Sequence, residues 1–191
     1  MGRTPPVANN FRIVALCGSQ GALAAFIQIL RTVPHDTGMA FVVLTHRRGD
    51  QPCLLVTILS DVTRMPVQEI EDHSVLLPNR VYVIPPGKDL TTDGIVFQLA
   101  PMSTANGWPD GFNLFLTSLA ENTHGRAVTI ILSGKDKDGS AALGELRLTG
   151  GLTFAQADAA FSSMPTSAVA TGNVDHFCSA AEIGVLVSAL S

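Results

Sequence analysis

The apolar residues of this chain fall into two patterns that alternate along its length. Residues 12–17, 39–45, 127–132 and 152–155 form mostly continuous apolar runs, which are typical of strands covered on both faces of a sheet. Between the runs, apolar residues recur every three or four positions, which predicts amphipathic helices. This alternation predicts right-handed crossovers and a mainly parallel sheet with helices on both faces.

The helical spacing predicts six helices. The first follows Ser19 and stops before Pro34, because proline cannot continue a helix. Asp50 is expected to cap the second helix, with Pro52 in its first turn. The core face of that helix would be Leu54, Leu55, Ile58 and Leu59, and further helices are expected after Gly111, before Gly150 and over residues 165–170 and 182–190.

One segment departs from the alternation of strand and helix. Residues 67–70, 81–84 and 95–99 are short apolar runs, and Asp93-Gly94 is a hairpin signal. We therefore expect an antiparallel excursion here, followed by a loop over residues 100–111. The predicted fold class is α/β: a doubly wound, mainly parallel sheet with an antiparallel hairpin excursion.

Length and composition predict the number of domains, the classes of partner that are excluded and the cellular location. With 191 residues, 46% of them hydrophobic and 15% charged, the chain is expected to form one domain over residues 11–191 after a loose lead-in at residues 1–10. The formal net charge of −4 argues against nucleic acid or an anionic membrane surface as a partner. No apolar stretch has the length of a membrane span or the form of a signal peptide, which predicts a cytoplasmic location without membrane insertion.

The sequence carries no pattern typical of a metal or phosphate site. Cys17, Cys53 and Cys178 are an odd number of cysteines without C-x-x-C spacing, so neither a disulfide framework nor a thiol metal site is expected. No two histidines have metal-ligand spacing. Gly134 and Gly139 have the interval of a phosphate-binding loop, but the Lys-Ser/Thr pair that should follow is absent. We predict no metal and no cofactor.

Polar side chains follow three of the predicted buried strands. Ser19 follows the first strand in a Gly-Ser-x-Gly turn, His46 ends the second, and Asp138 lies in the loop after residues 127–132. Because the carboxyl ends of parallel strands meet at one edge of the sheet, we expect these side chains to lie close together. A serine on a tight turn at a helix N-terminus, with a base nearby, suits nucleophilic attack that produces an oxyanion.

Each of these residues also has an ordinary structural interpretation. Ser19 can be the N-cap of the following helix, and His46 can be a polar strand end without a function. Asp136 competes with Asp138 for the role of the acid, and either can be a solvated loop charge or a helix cap. Asp138 is favoured because it directly precedes Gly139 and the next helix. The other histidines are expected to be solvated, at His35, His73 and His124, or structural, at His176.

The same residues carry a resemblance to a known family. The turn around Ser19, the position of His46 and the late Leu-Ser-Gly-x-x-x-Asp-Gly segment around Asp138 resemble the chemotaxis protein-glutamate methylesterase (CheB-type) catalytic domain. Matching stretches at residues 81–87 and 150–168 extend the resemblance over essentially the whole chain. The sequence is most similar to the methylesterase halves of methylesterase–methyltransferase fusions, and it contains no receiver domain.

The resemblance implies a Ser-His-Asp triad formed by Ser19, His46 and Asp138. The implied activity is hydrolysis of glutamate methyl esters with release of methanol, and some members also deamidate glutamines. The implied partner is a methyl-accepting chemoreceptor or another methylated protein, with a methyltransferase domain in a fusion, within a chemotaxis phosphorelay. We expect the backbone N–H groups of Gln20 and of the late loop, at Lys135, to bind the oxyanion.

Several residues depart from the family pattern. Cys17 and Ala22 stand where the serine motif of the family has glycine, and Lys135 and Asp136 stand where its late loop has small or apolar residues. Asn113 stands where the family often has aspartate. These departures motivate an alternative hypothesis, a catalytically weakened domain that binds a receptor or another partner. A third hypothesis is an esterase for small molecules.

Overall fold

A seven-stranded parallel sheet forms the centre of the molecule. The computed structural model describes residues 10–46, 54–105 and 108–191. In chain order its elements are β1 (Ile13–Cys17), α1 (Leu23–Thr32), β2 (Ala40–Leu44), α2 (Leu54–Ser60), β3 (Val67–Glu69), β4 (Arg80–Val83), β5 (Lys88–Thr92), β6 (Phe97–Pro101), β7 (Thr104–Ala105), β8 (Trp108–Pro109), α3 (Gly111–Thr123), β9 (Ala127–Ile131), α4 (Leu143–Leu148), β10 (Leu152–Gln156), α5 (Ser163–Ala170), β11 (His176–Cys178) and α6 (Ala180–Ser188).

The sheet has the order β11-β10-β9-β1-β2-β4-β3, and its strand pairs are all parallel. Every residue of β1, β2 and β9 is buried, as expected for strands covered on both faces. One face packs against α1 and α6, and the other packs against α3, α4 and α5. The predicted doubly wound α/β fold is confirmed.

The antiparallel excursion is smaller than the sequence suggested. The predicted strands at residues 67–70 and 81–84 are β3 and β4, which extend the parallel sheet. The hairpin partner of β6 is β5, which was not predicted. Its sequence Lys-Asp-Leu-Thr-Thr has one strongly apolar residue, and its buried polar side chains are satisfied by hydrogen bonds, Asp89 with Ser103 and Thr92 with Val96.

Two other expectations about elements were wrong. The segment expected to be a loop at residues 100–111 contains the short pair β7–β8. In α2 the expected core face is only partly covered, because the helix packs beside β3 at the edge of the sheet: Leu59 is buried, but Leu54 is 69% exposed. The lead-in at residues 1–9 and the predicted cap at Asp50 and Pro52 lie outside the described residues. Within the described part of the chain, no helix has the length and apolar character needed to cross a membrane.

The register of the central strands brings three loops together at one edge. Cys17 of β1 is paired with Leu44 of β2 and with Ile131 of β9. Hydrogen bonds continue beyond the strands, from the Gly18 N–H to the Leu44 carbonyl and from the Ser19 N–H to the carbonyl of Ser133. The segments that carry the candidate nucleophile, base and acid therefore leave the sheet side by side.

Candidate active site

Ser19 lies in the turn between β1 and α1, and its side chain is free. The N-cap position of α1 is Ala22 rather than Ser19, and the Ser19 hydroxyl makes no hydrogen bond with any described residue. Gly21 takes φ +81°, a conformation that residues other than glycine rarely adopt. The alternative interpretation of Ser19 as a helix cap is therefore wrong, and its half-buried hydroxyl is available for chemistry.

The residues that replace glycines near Ser19 fit their places without strain. Ala22 has φ −77°, in the ordinary helical region, and Cys17 continues the regular pairing of β1. Burial, and then the nearby Asp138 carboxylate, raise the pKa of the Cys17 thiol, so Cys17 stays in the protonated form, which is not nucleophilic. These two departures from the family motif leave the turn intact.

His46 and Asp138, which the sequence predicted to be the base and the acid of a triad, are in contact. The Nε2 atom of His46 is 2.8 Å from the Asp138 carboxylate, and the ring of His46 stacks on Phe112 with 4.0 Å between centroids. The side chain of Asp138 is fully buried, whereas that of His46 is 13% exposed. The imidazole is therefore fixed in orientation by a carboxylate on one nitrogen and an aromatic ring on one face.

Asp138 is itself held by backbone donors at the start of α3. Its carboxylate accepts hydrogen bonds from the N–H groups of Phe112, Asn113 and Gly139, each at 2.8–2.9 Å. The first N–H groups of a helix have no partner within the helix, and the helix dipole favours negative charge there. The carboxylate that faces His46 is thus satisfied without any direct contact with solvent.

The second loop carboxylate, Asp136, occupies the other ring nitrogen. The Nδ1 atom of His46 is 3.1 Å from the Asp136 carboxylate, whose second oxygen accepts the N–H of Asp138 at 3.0 Å. The sequence offered Asp136 and Asp138 as competitors for one role, but both contact the histidine. Burial lowers the pKa of His46, while hydrogen bonds and charge attraction from Asp136 and Asp138 outweigh it and raise the pKa from 6.5 to about 9.

The candidate triad is only partly assembled in this structure. His46 and Asp138 are in contact, and Ser19 leaves the sheet beside them, but no hydrogen bond joins the Ser19 hydroxyl to the His46 ring. Both ring nitrogens of His46 are instead occupied by carboxylates. An imidazole held in this way is stabilised as the protonated, doubly donating form.

The expected oxyanion donors make no hydrogen bond within the described part of the protein. Within the described residues, the backbone N–H groups of Gln20 and Lys135 have no hydrogen-bond acceptor. The two loops that carry them are joined by Ser133, whose hydroxyl donates to the Gln20 carbonyl at 2.8 Å and accepts from the Phe161 N–H at 2.9 Å. The amine of Lys135 points elsewhere, over the Phe161 ring. The two free N–H groups suit binding of a developing oxyanion.

Gly134 brings the late loop into close contact with the serine turn. A Cβ atom at this position would lie 1.9 Å from the sulfur of Met164 and 3.2 Å from the Cβ of Ser19. Met164 is fully buried, so it has little room to move. The glycine is required here by the approach of the two loops.

We expect Gly134→Ala to lower the free energy of unfolding by about 1–3 kcal/mol, as overpacking in a closed core does. Gly144→Ala is the matched control, because its Cβ would approach no heavy atom closer than 3.3 Å and the residue lies within α4. Urea denaturation of both variants measures the difference. Equal midpoints for the two variants would contradict the proposed close packing.

The raised pKa of His46 also predicts a pH dependence of stability. A histidine with a folded pKa of about 9 and an ordinary value of 6.5 stabilises the folded state fully below pH 6.5. This contribution is lost as the pH rises through 9. We expect the loss to be about 3 kcal/mol between pH 6.5 and pH 10. Denaturation of wild type and His46→Gln across this range tests the prediction, since the variant should lack this decline; parallel profiles would contradict it.

The sequence did not indicate that three residues, Phe112, Asn113 and Ser133, belong to the site. Phe112 was recognised only as a core residue of a helix, yet it stacks on His46. Asn113 was recognised only as a departure, yet its side chain accepts the N–H groups of Ala141 and Ala142 ahead of α4. Ser133 links the loops. The one signal that could have identified these residues as part of the site is their position next to the end of a strand or the start of a helix.

The remaining candidates lie away from the site. His35, His73, His124 and His176 are exposed, and His176 stacks on Phe154. In the described ranges no three histidine, cysteine or acidic side chains converge in a way that would hold a metal ion. The two carboxylates at His46 lie on opposite nitrogens of its ring.

Comparison with known proteins gives a consistent picture. The family model for the CheB methylesterase matches residues 14–187. The crystal structure of the Thermotoga maritima CheB methylesterase catalytic domain superposes with a TM-score of 0.89 and 23% sequence identity, over 95% of this chain and all of that chain. At that identity the similarity supports the fold.

Curated relatives are longer than this chain. An uncharacterized 104.1 kDa protein in the hypE 3'region of Rhodobacter capsulatus is 36% identical over 133 residues, which are 68% of this chain and 14% of that protein. Protein-glutamate methylesterase/protein-glutamine glutaminase 3 of Myxococcus xanthus is 30% identical over 81% of this chain and 43% of its own length. Protein-glutamate methylesterase FrzG of Myxococcus xanthus is 29% identical over 95% and 58%. The chain thus spans about half or less of these relatives.

Proposed function

The chain belongs to the CheB methylesterase family, and from this membership we propose that it is a protein-glutamate methylesterase. Two of the relatives carry that activity in their names. In this proposal the enzyme hydrolyses the methyl ester of a glutamate side chain to the carboxylate and methanol. The observation that carries the proposal is the His46–Asp138 pair, held at the carboxyl edge of the sheet beside the free hydroxyl of Ser19.

The first step is attack of the Ser19 oxygen on the ester carbonyl. His46 takes the hydroxyl proton and passes it to the departing methoxide, which leaves as methanol and creates an acyl-enzyme. Since Nε2 of His46 is bound to the buried Asp138, the nitrogen that receives this proton is Nδ1. The N–H groups of Gln20 and Lys135 stabilise the oxyanion.

The second step is hydrolysis of the acyl-enzyme. A water molecule donates a proton to Nδ1 of His46 and adds to the acyl carbonyl, and the proton then returns to the Ser19 oxygen as the bond to the glutamate breaks. Asp138 remains ionised throughout and stabilises the imidazolium that forms in each step. No cofactor takes part in either step.

The proposed substrate is a methylated glutamate of a methyl-accepting chemoreceptor or of another methylated protein. Deamidation of a glutamine is included, because a relative is named as both a methylesterase and a glutaminase. A methyltransferase domain is proposed as a fused partner; its support is the sequence resemblance and the 104.1 kDa size of one relative. A cytoplasmic location is supported by the free thiols of Cys17 and Cys178, and the net charge of −4 speaks against nucleic acid.

The test is methanol release from a receptor fragment that carries glutamate methyl esters, measured by mass spectrometry together with the loss of the methyl group. The assay should extend to pH 10, because the pKa of His46 is about 9. Parallel assays with a glutamine-containing fragment and with small acyl esters separate glutaminase and general esterase activity. Absence of methanol release at every pH would overturn the proposal in favour of a binding domain.

A further inference from the structure

The carboxylate of Asp136 contacts Nδ1 of His46, the nitrogen that has to accept the proton of Ser19 in the proposed mechanism. Of the two ring nitrogens of His46, Nε2 is bound to Asp138 at 2.8 Å and Nδ1 is bound to Asp136 at 3.1 Å. Asp138 is fully buried and held by backbone donors, whereas the side chain of Asp136 is 14% exposed. Asp138 therefore cannot be the carboxylate that leaves, and Nδ1 becomes available to Ser19 only if Asp136 moves.

We propose that Asp136 is a positioning residue that holds the resting enzyme inactive, because its carboxylate occupies the His46 nitrogen that must accept the proton of Ser19. This inference rests on the proposed methylesterase function. Hydrolysis then begins when the Asp136 carboxylate leaves Nδ1. The partly exposed position of Asp136 in the loop after β9 allows this movement without any change in the sheet.

Loss of the Nδ1 proton is one way to release the contact. While His46 is protonated, its Nδ1–H group donates to Asp136 and the opposite charges attract. When that proton goes to solvent, the lone pair of Nδ1 faces the negative oxygen of Asp136, and the contact becomes repulsive. The resting state is therefore stable at neutral pH and weakens at alkaline pH.

The dependence of this contact on pH comes from Asp136 and Asp138, because the other described groups around His46 are uncharged or point away from it. In the described residues, these two carboxylates from the loop after β9 are the charged groups that act on the pKa of His46. The helix α3 contributes the uncharged ring of Phe112. The strand β1 contributes the Cys17 thiol, whose raised pKa keeps it neutral. The nearby Lys135 amine lies over Phe161 instead.

The kinetic test compares wild type, Asp136→Asn and Asp136→Gly from pH 6 to pH 10 with the methylated receptor fragment. Removal of the Asp136 charge should move the alkaline inflection of kcat/KM down by at least one pH unit. It should raise kcat/KM at pH 7 about tenfold or more, since each unit changes the neutral fraction of His46 about tenfold. At pH 10 the variants and wild type should converge.

Asp158→Asn is the matched control, because Asp158 follows β10 at the same edge and contacts Gln156 and the N–H of Ala180, but not His46. It should leave the profile of kcat/KM against pH unchanged. If wild type is active and Asp136→Asn has equal or lower activity at pH 7, the inference is overturned.

A second measurement does not depend on turnover. The pKa of His46, followed by NMR of its ring, is compared in Ser19→Ala and in Ser19→Ala combined with Asp136→Asn. We expect the second protein to titrate at least one unit lower, and an unchanged pKa would overturn the inference. If the pKa is lower in the second protein but neither wild type nor the Asp136 variants hydrolyse the ester, the proposed function is overturned. The contact between Asp136 and His46 would still be confirmed.

Discussion

Replacement of Ser19 by alanine is expected to lower the kcat of ester hydrolysis by about 10⁴-fold or more, as loss of the nucleophile of a triad does. The two free N–H groups at Gln20 and Lys135 remain in the variant, so a small residual rate is expected from oxyanion stabilisation alone. Folding should change little, because the Ser19 hydroxyl makes no hydrogen bond in the described part of the chain.

The measurement is methanol release at pH 9, where about half of His46 is neutral, with the thermal midpoint recorded for each protein. Ser162→Ala is the matched control, since Ser162 is an exposed serine ahead of α5 whose side chain makes no capping hydrogen bond. The control should keep wild-type activity. Equal rates for wild type and Ser19→Ala would show that another group is the nucleophile.

The central part of the fold was predictable because its physical signal is local. The strands β1, β2 and β9 are buried at every residue, and apart from Thr129 of β9 their residues are apolar, so these runs are visible in the sequence. Their parallel arrangement places their carboxyl ends at one edge. That was enough to predict the contact between His46 and Asp138, which are 92 residues apart.

The periphery of the fold was less predictable because it depends on pairing between distant segments. The strand β3 has three residues, of which none is fully buried, and its place beside β4 follows from the crossover rather than from its sequence. The strand β5 buries Asp89 and Thr92 by hydrogen-bonding them to Ser103 and Val96. A polar segment that is satisfied by residues elsewhere has no apolar pattern from which a strand can be predicted.

At the site, the sequence could not assign separate roles to the two neighbouring carboxylates. Asp136 and Asp138 are separated by one residue, and the sequence does not specify which nitrogen of His46 each of them reaches. The distinction arises from α3, whose N–H groups at Phe112 and Asn113 hold Asp138 in a buried position. Among the described residues, Asp136 has one backbone donor, the N–H of Asp138, and its side chain stays partly exposed.

This difference predicts opposite effects for the same substitution at the two acids. Asp138→Asn is expected to lower kcat by about 10³–10⁴-fold, because an amide cannot stabilise the imidazolium and presents the wrong hydrogen-bonding partner to Nε2. It should also lower the free energy of unfolding by about 1.5–3 kcal/mol, the range for hydrogen bonds to a charged group. Asp136→Asn should instead raise the rate at neutral pH.

Asp175→Asn is the control that separates lost catalysis from lost stability. The carboxylate of Asp175 accepts hydrogen bonds from the N–H and the hydroxyl of Thr153 and pairs with Arg147. It lies before β11, at the end of the sheet remote from His46. Its replacement should lower stability but leave kcat near the wild-type value. If Asp138→Asn were no slower than Asp175→Asn, Asp138 would be a structural carboxylate at the start of α3, and His46 would have to act without it.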